Sequence, residues 1–344
     1  MQADAGDTTG FATRPTGRSE AGGCDLCGAG RGRVVAEASP LNARIVECAG
    51  CGLLYASPRM SDAEMDAFYE QGFAIDPGSR LRAGAGLPNQ RKVDKEKRQS
   101  TDWALAVIDR HVDVRGKRVL GLRCRTGGIS EALAARGATV HCIEPFEANA
   151  SYARQVRGLS HVHVLPFSQL HAFGETAPGP FDVVDVLAQH VLAHVASPSR
   201  LLSEIHAALV PGGLLFLDEK DVLHPALHKT PSIFESGTAH QYHLTERTTA
   251  GYLRAAGFEI LRCEIDPHRM SDFRHIVSVA RKPERASEAR EPDIGPPADG
   301  ALDRRLRWLA RTWRWRLAQA KLRRRAQRWQ RKRARASTHR SPSP

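Results

Sequence analysis

Four cysteines carry the clearest chemistry in the chain. Cys24-Asp25-Leu26-Cys27-Gly28 and Cys48-Ala49-Gly50-Cys51-Gly52 are two C-x-x-C-G knuckles. A two-residue gap lets both thiolates of a knuckle face one metal ion, and the glycine lets the backbone turn back around it. Two knuckles bring four sulfurs into a tetrahedron. This predicts a structural Zn²⁺ held by Cys24, Cys27, Cys48 and Cys51, with no position left for water. The remaining cysteines, Cys124, Cys142 and Cys263, lie on or beside apolar strand-like runs and read as buried small residues.

Histidines form the second group of candidates. His190 and His194 stand four apart in H-V-L-A-H-V, and His240, Tyr242 and His243 lie together in H-Q-Y-H-L-T. An imidazole titrates near working pH, so His190, His194 and His243 suit general-base work, with Tyr242 beside them to orient a hydroxyl or pass a proton. The bland alternative is that the same groups hydrogen-bond the core or pack in a loop over a sheet edge.

These groups need elements to position them. Residues 1–20 are polar and aperiodic and read as disordered. Residues 21–56 form the ribbon, and 57–100 a helical connector with a Gly/Pro-rich loop or lid at Asp76–Pro88. Ser61 and Glu64 in that connector make a capping box. From 101 to 283 strand and helix patterns alternate. Strands are expected at 118–122, 138–144, 161–165, 181–187 and 214–217, followed by an antiparallel edge pair at 258–265 and 275–280. This is an α/β, Rossmann-like, seven-stranded, mostly parallel sheet preceded by a small zinc ribbon. Residues 284–300 read as a linker, and 301–344 as a basic amphipathic helix with a disordered end.

In order and spacing, several motifs resemble the class I S-adenosylmethionine-dependent methyltransferases, specifically the bacterial group with an N-terminal zinc ribbon. They are C-G-L-L-Y-A-S-P-R-M-S, V-L-G-L-R-C-R-T-G-G, V-H-C-I-E-P, F-D-V-V, H-V-L-A-H-V, L-V-P-G-G-L-L-F-L and H-Q-Y-H-L-T. The resemblance implies S-adenosylmethionine as cofactor and a small acceptor such as a sugar or cell-envelope precursor. It also implies a cofactor turn at Gly121, Arg123, Arg125 and Gly127, and a ribose-binding acid at Glu144. The turn departs from the family pattern of an acid followed by Gly-x-Gly-x-Gly. Gly121 takes the place of the acid, and Arg123 and Arg125 take the places of two glycines. Bulky cations there forbid an easy positive φ and suit an anion better than a sulfonium. Ala193 likewise stands where the family commonly has an acid before the histidine. Two readings follow: a methyltransferase, or an inert binding or scaffold protein that keeps the fold.

The formal net charge is +12. From Ala301 onward there are sixteen Lys/Arg and one acid, Asp303, so the first 300 residues are slightly negative and the basic character belongs to the tail. Four of the five tryptophans lie there among arginines. Such a helix, over 301–335, suits an anionic membrane surface or another polyanion, and the neutral body argues against nucleic acid. No apolar run is long enough to span a bilayer, and the first twenty residues lack a signal-peptide core. The expected place is the cytoplasm, with peripheral attachment to the inner membrane surface as an option.

Overall fold

Alternating buried and exposed residues in the cysteine region build a small antiparallel sheet. The computed structural model describes residues 23–38, 43–70, 87–177, 179–225, 240–270 and 273–285, with Ile294, Arg304, Trp308, Arg311 and Thr312. Strands β1 (Gly32–Ala38), β2 (Ala43–Cys48) and β3 (Leu54–Ser57) form a meander, β1 pairing β2 from Gly32–Cys48 to Ala38–Ala43. Helix α1 (Asp62–Glu70) starts at the expected capping box, where the Ser61 backbone N–H donates to Glu64 Oε2 at 2.8 Å. Helix α2 (Leu87–Ile108) follows and buries Ala104, Leu105, Val107 and Ile108. It runs through the domain boundary expected at 100, because no glycine or proline interrupts residues 89–108.

The central domain then unfolds in sequence: β4 (Arg118–Leu122), α3 (Gly128–Ala135), β5 (Thr139–Glu144), α4 (Glu147–Gln155), β6 (His161–Val164), a 3-10 turn at Phe167–Ala172, α5 (Phe173–Thr176) and β7 (Phe181–Val186). After a second 3-10 turn at Leu192–His194 come α6 (Pro198–Ala208), β8 (Leu209–Pro225), β9 (Tyr242–His243), α7 (Glu246–Ala255), β10 (Glu259–Met270) and β11 (Phe273–Arg281). Seven strands form one sheet in the order β10-β11-β8-β7-β4-β5-β6. Strands β8, β7, β4, β5 and β6 are parallel, and β11 is antiparallel to both β8 and β10. The Rossmann-like expectation and the antiparallel edge pair are therefore met.

Two strands are longer than their apolar runs. β8 begins before Pro211-Gly212-Gly213, which reads as a stop signal, and extends to Pro225. Its ladder with β11, from Arg281–Leu214 to Phe273–Pro225, supplies the hydrogen bonds that carry it past the core. β10 extends to Met270 for the same reason.

The ribbon is not a separate unit. β9 leaves the large sheet and pairs with β3, Leu54 with His243 and Tyr55 with Tyr242, so the small sheet reads β1-β2-β3-β9. Asp25, between the first two cysteines, reaches the start of α6. There it accepts from Ser197 Oγ at 2.6 Å and from the Ser199 backbone N–H at 3.0 Å, satisfying a first-turn donor that has no partner within the helix. One continuous core includes Cys24, Leu26 and Leu54 from the ribbon and Leu201, Tyr252 and Ile276 from the domain.

Among the described residues no helix is long and apolar enough to cross a membrane. The segment 1–20, the expected lid up to residue 86 and most of the linker and tail lie outside the described residues. In the tail, Arg304, Trp308, Arg311 and Thr312 are helical, and Thr312 Oγ1 donates to the Trp308 carbonyl at 2.7 Å.

Asp25→Ala removes the acceptors at the α6 terminus. Equilibrium urea unfolding should show a loss of about 2 kcal/mol; an unchanged midpoint would mean that solvent satisfies those donors equally well.

Candidate functional site

The four knuckle sulfurs converge. Cys24 Sγ lies 3.5 Å from Cys51 Sγ, Cys27 Sγ lies 3.5 Å from Cys48 Sγ, and all four lie within 4.8 Å of one another. Gly28 and Gly52 have φ of 72° and 73°, so each chain turns back after its second cysteine as the spacing requires. Zinc–sulfur bonds of about 2.3 Å in a tetrahedron place sulfurs a little under 4 Å apart, so the donor set fits Zn²⁺. Hydrogen bonding to Cys48 pushes the Cys24 thiol up to about 12, and contact with Cys24 pushes Cys51 up as well. Hydrogen bonds from Cys24 and Cys51 push Cys48 the other way, down, so the sulfurs share their protons unevenly.

The second convergence is at the carboxyl ends of β4 and β7, where the strand order reverses and doubly wound sheets bind ligands. After β4 the turn takes φ of 58° at Arg123, 57° at Arg125 and 77° at Gly127. The two arginines therefore adopt the left-handed conformation that glycine takes without cost, at a strain of roughly 1 kcal/mol each. Glycine suits position 127 for a second reason: a Cβ there would stand 2.8 Å from Leu159 Cδ1 and 3.1 Å from Ala153 Cβ, so its neighbours would have to shift. At Gly121, where an acid is common in related turns, a Cβ would meet Ser130 Oγ at 2.8 Å. Glu144, buried at the end of β5, holds the turn. Oε2 accepts from the Arg125 backbone N–H at 2.7 Å, and Oε1 accepts from Asn149 Nδ2 at 2.8 Å. Burial pushes its carboxyl up against the pull of Asn149 and the Arg123 guanidinium.

Arg123 does not point to solvent. Its side chain is buried, Nη1 donates to the Gln189 carbonyl beyond β7, and the guanidinium stacks 5.3 Å from the Phe167 ring centroid beyond β6. It thus bridges the crevice at the strand ends. The backbone of the turn and Glu144 fit an adenosyl ligand. The Arg123 side chain, where it stands, does not.

The histidines separate. His190 has φ of 52° and precedes the 3-10 turn, so it does not share a helical face with His194 as the four-residue spacing suggests. His194 is buried, 4.6 Å from the His240 ring and 6.3 Å from Phe167. His190 turns instead toward Asp218 and His275, its Nδ1 3.8 Å from Asp218 Oδ2 and its ring 4.7 Å from that of His275. Burial holds His194 and His240 well below the usual imidazole range and lowers His243 to about 4. All three are neutral near pH 7.

A small cavity of about 20 Å³, room for one water, is lined by His190, Ala193, Glu219, Lys220, His240 and His243 among others. Tyr242 touches it too, but its hydroxyl donates to the Ala196 carbonyl at 2.6 Å, which removes it from the proton-shuttle role. Asp218, Glu219, Lys220 and His275 are absent from the sequence candidates. The visible signal for three of them was the run L-F-L-D-E-K-D in the middle of β8, three acids where the apolar run of the strand stops.

Asp185, buried at the end of β7, is raised to about 7 by burial, with Asp218 adding to the effect. Between about pH 4 and this value the folded chain keeps a proton that the unfolded chain releases, so this group's contribution to stability falls as pH rises. Asp185→Asn retains an acceptor for the Leu187 N–H, which Asp185 Oδ1 binds at 3.0 Å. Urea unfolding should find the variant more stable by at least about 1 kcal/mol at pH 8, and no more stable at pH 4.

The geometry agrees with what comparison with known proteins finds. A family described as methyltransferase domain matches residues 96–262. The ubiquinone biosynthesis O-methyltransferase of Azotobacter vinelandii is 39% identical over 110 residues, 32% of this chain and 47% of that protein. The Pseudomonas aeruginosa protein of the same name is 39% identical over 112 residues, with the same two shares. The chain thus spans about half the length of the curated relatives it matches. Among solved structures, a Burkholderia thailandensis 1,6-didemethyltoxoflavin-N1-methyltransferase with bound S-adenosylhomocysteine is 19% identical, covering 72% of this chain and 100% of that one at a TM-score of 0.48. A Mesorhizobium loti S-adenosylmethionine-dependent methyltransferase is also 19% identical, covering 54% and 99% at 0.44. The match to a methyltransferase domain thus falls on the segment 96–262, which spans most of the seven-stranded sheet.

Proposed function

We propose that the chain is an S-adenosylmethionine-dependent methyltransferase acting on a small, hydroxyl-bearing acceptor, with one structural Zn²⁺ in its ribbon. The observation that carries this reading is the β4 turn. Three alternate residues, Arg123, Arg125 and Gly127, take the left-handed conformation that suits a cofactor turn, and the Arg125 N–H meets Glu144 at the end of β5. The matched segment and the relatives' names, which specify O-methylation, support transfer to oxygen. A sugar or cell-envelope precursor, as the sequence suggests, is one member of that acceptor class.

When bound, the cofactor supplies an electrophilic methyl group. Glu144 would hold ribose hydroxyls with the carboxylate it now uses to hold the turn. His243 and His240, neutral and at the cavity, are in the base form needed to take a proton from an acceptor hydroxyl, and His190 also lines the cavity. Their depressed basicity makes them weak bases, so alignment of the acceptor carries more of the rate than proton removal.

One observation favours a second reading, a protein that keeps the fold and binds no adenosyl ligand: the Arg123 side chain closes the crevice against Gln189. Calorimetric titration of the full chain with S-adenosylmethionine separates the two. The first reading expects measurable binding that Arg123→Gly strengthens at least tenfold. No heat at millimolar ligand from either protein rejects the enzyme. For the ribbon, Cys51→Ser should lose one equivalent of zinc by elemental analysis, and undiminished zinc would reject the four-sulfur site.

A further inference from the structure

We infer that His190, Asp218 and His275 form a second metal centre, a two-histidine, one-carboxylate site for a divalent first-row transition metal at the inner wall of the cavity. The three come from different elements: the turn after β7, the middle of β8, and β11. One ligand atom from each lies within 4.8 Å of the others. Asp218 Oδ2 stands between the imidazoles, 2.9 Å from His275 Nδ1 and 3.8 Å from His190 Nδ1. Around a metal bound at about 2.1 Å, neighbouring nitrogen and oxygen ligands stand about 3 to 4 Å apart, so the cluster needs only a small contraction.

Two further features favour a ligand set over a chance contact. First, Asp218 is oriented. Its other oxygen, Oδ1, accepts from the Gln189 backbone N–H at 3.3 Å, which leaves Oδ2 to both imidazoles, as outer hydrogen bonds orient a metal-binding carboxylate. Second, the turn that presents His190 is strained at two non-glycine residues, Ala188 at φ 63° and His190 at φ 52°. Non-glycine residues in this region cost of order 1 kcal/mol or more each, and such strain gathers at functional sites. An ordinary connection from β7 would aim the imidazole elsewhere.

The charges point the same way. Asp218 and His275 have no solvent exposure, and the acids Asp185 and Glu219 are buried beside Asp218. A dication at the shared oxygen offsets that crowding of acids. Two nitrogens and one oxygen select Zn²⁺, Co²⁺, Mn²⁺ or Fe²⁺ over Ca²⁺ and Mg²⁺, which prefer all-oxygen sites. His190 belongs to both the cluster and the cavity lining, so a metal here would be reached from the cavity.

The test counts metals on the full chain. After equilibration with micromolar Zn²⁺ and removal of the excess, elemental analysis should find two equivalents in the wild type. It should find one in His190→Gln and one in Asp218→Asn, the ribbon keeping its own. A single equivalent in the wild type overturns the inference, as do two equivalents in both variants. Co²⁺ titration of the wild type gives a readout that does not depend on how the variants fold. One equivalent should add the thiolate charge-transfer bands of the ribbon, and another only the weaker bands of nitrogen and oxygen ligands. Saturation without that second spectrum overturns the site.

Discussion

Two backbone pairings, Leu54 with His243 and Tyr55 with Tyr242, hold this molecule in its working shape. They dock a short strand of the central domain onto the cysteine ribbon, and with it His240 and His243, which face the cavity. The loop that would touch an acceptor is therefore anchored by neighbouring main chain outside the large sheet. Tyr242 completes the anchor: Arg59 lies over its ring and that of Tyr55, and its hydroxyl donates to the Ala196 carbonyl.

A second constraint acts across the crevice. Glu144 fixes the β4 turn from one side, and Arg123 ties it to Gln189 on the other. Gln189 in turn donates its N–H to Asp218, so one residue links the crevice-closing guanidinium to the His190–Asp218–His275 cluster. The crevice at the strand ends and the acidic middle of β8 are thus parts of one polar network. Movement of Arg123 would be felt at Asp218 through a single residue.

Much of this was legible in the sequence, and what was hidden has physical reasons. The knuckle spacing located the four sulfurs, because two-residue gaps followed by glycine leave the backbone little choice. The strand order followed from alternating apolar runs and turns. The long reach of β8 and β10 was hidden because ladder hydrogen bonds to β11, which no local pattern encodes, extend them. The fate of His190 was hidden because spacing of four implies a helix, whereas a left-handed residue redirects it. Positive φ at Arg123 and Arg125 was also unreadable. Sequence argues against it, and the structure adopts it because Glu144 and the burial of Arg123 offset the strain.

The reach of Asp25 into α6 has a consequence for how the molecule comes apart. The residue lies between Cys24 and Cys27 in sequence, and its carboxylate at the same time caps the start of a helix of the large domain. Ribbon and domain also share one apolar core, so neither can melt without exposing the other's interior. Denaturation should then be a single cooperative event. With the proposed Zn²⁺ on the four sulfurs, the supply of metal would set how much of the chain stays folded around the cavity histidines.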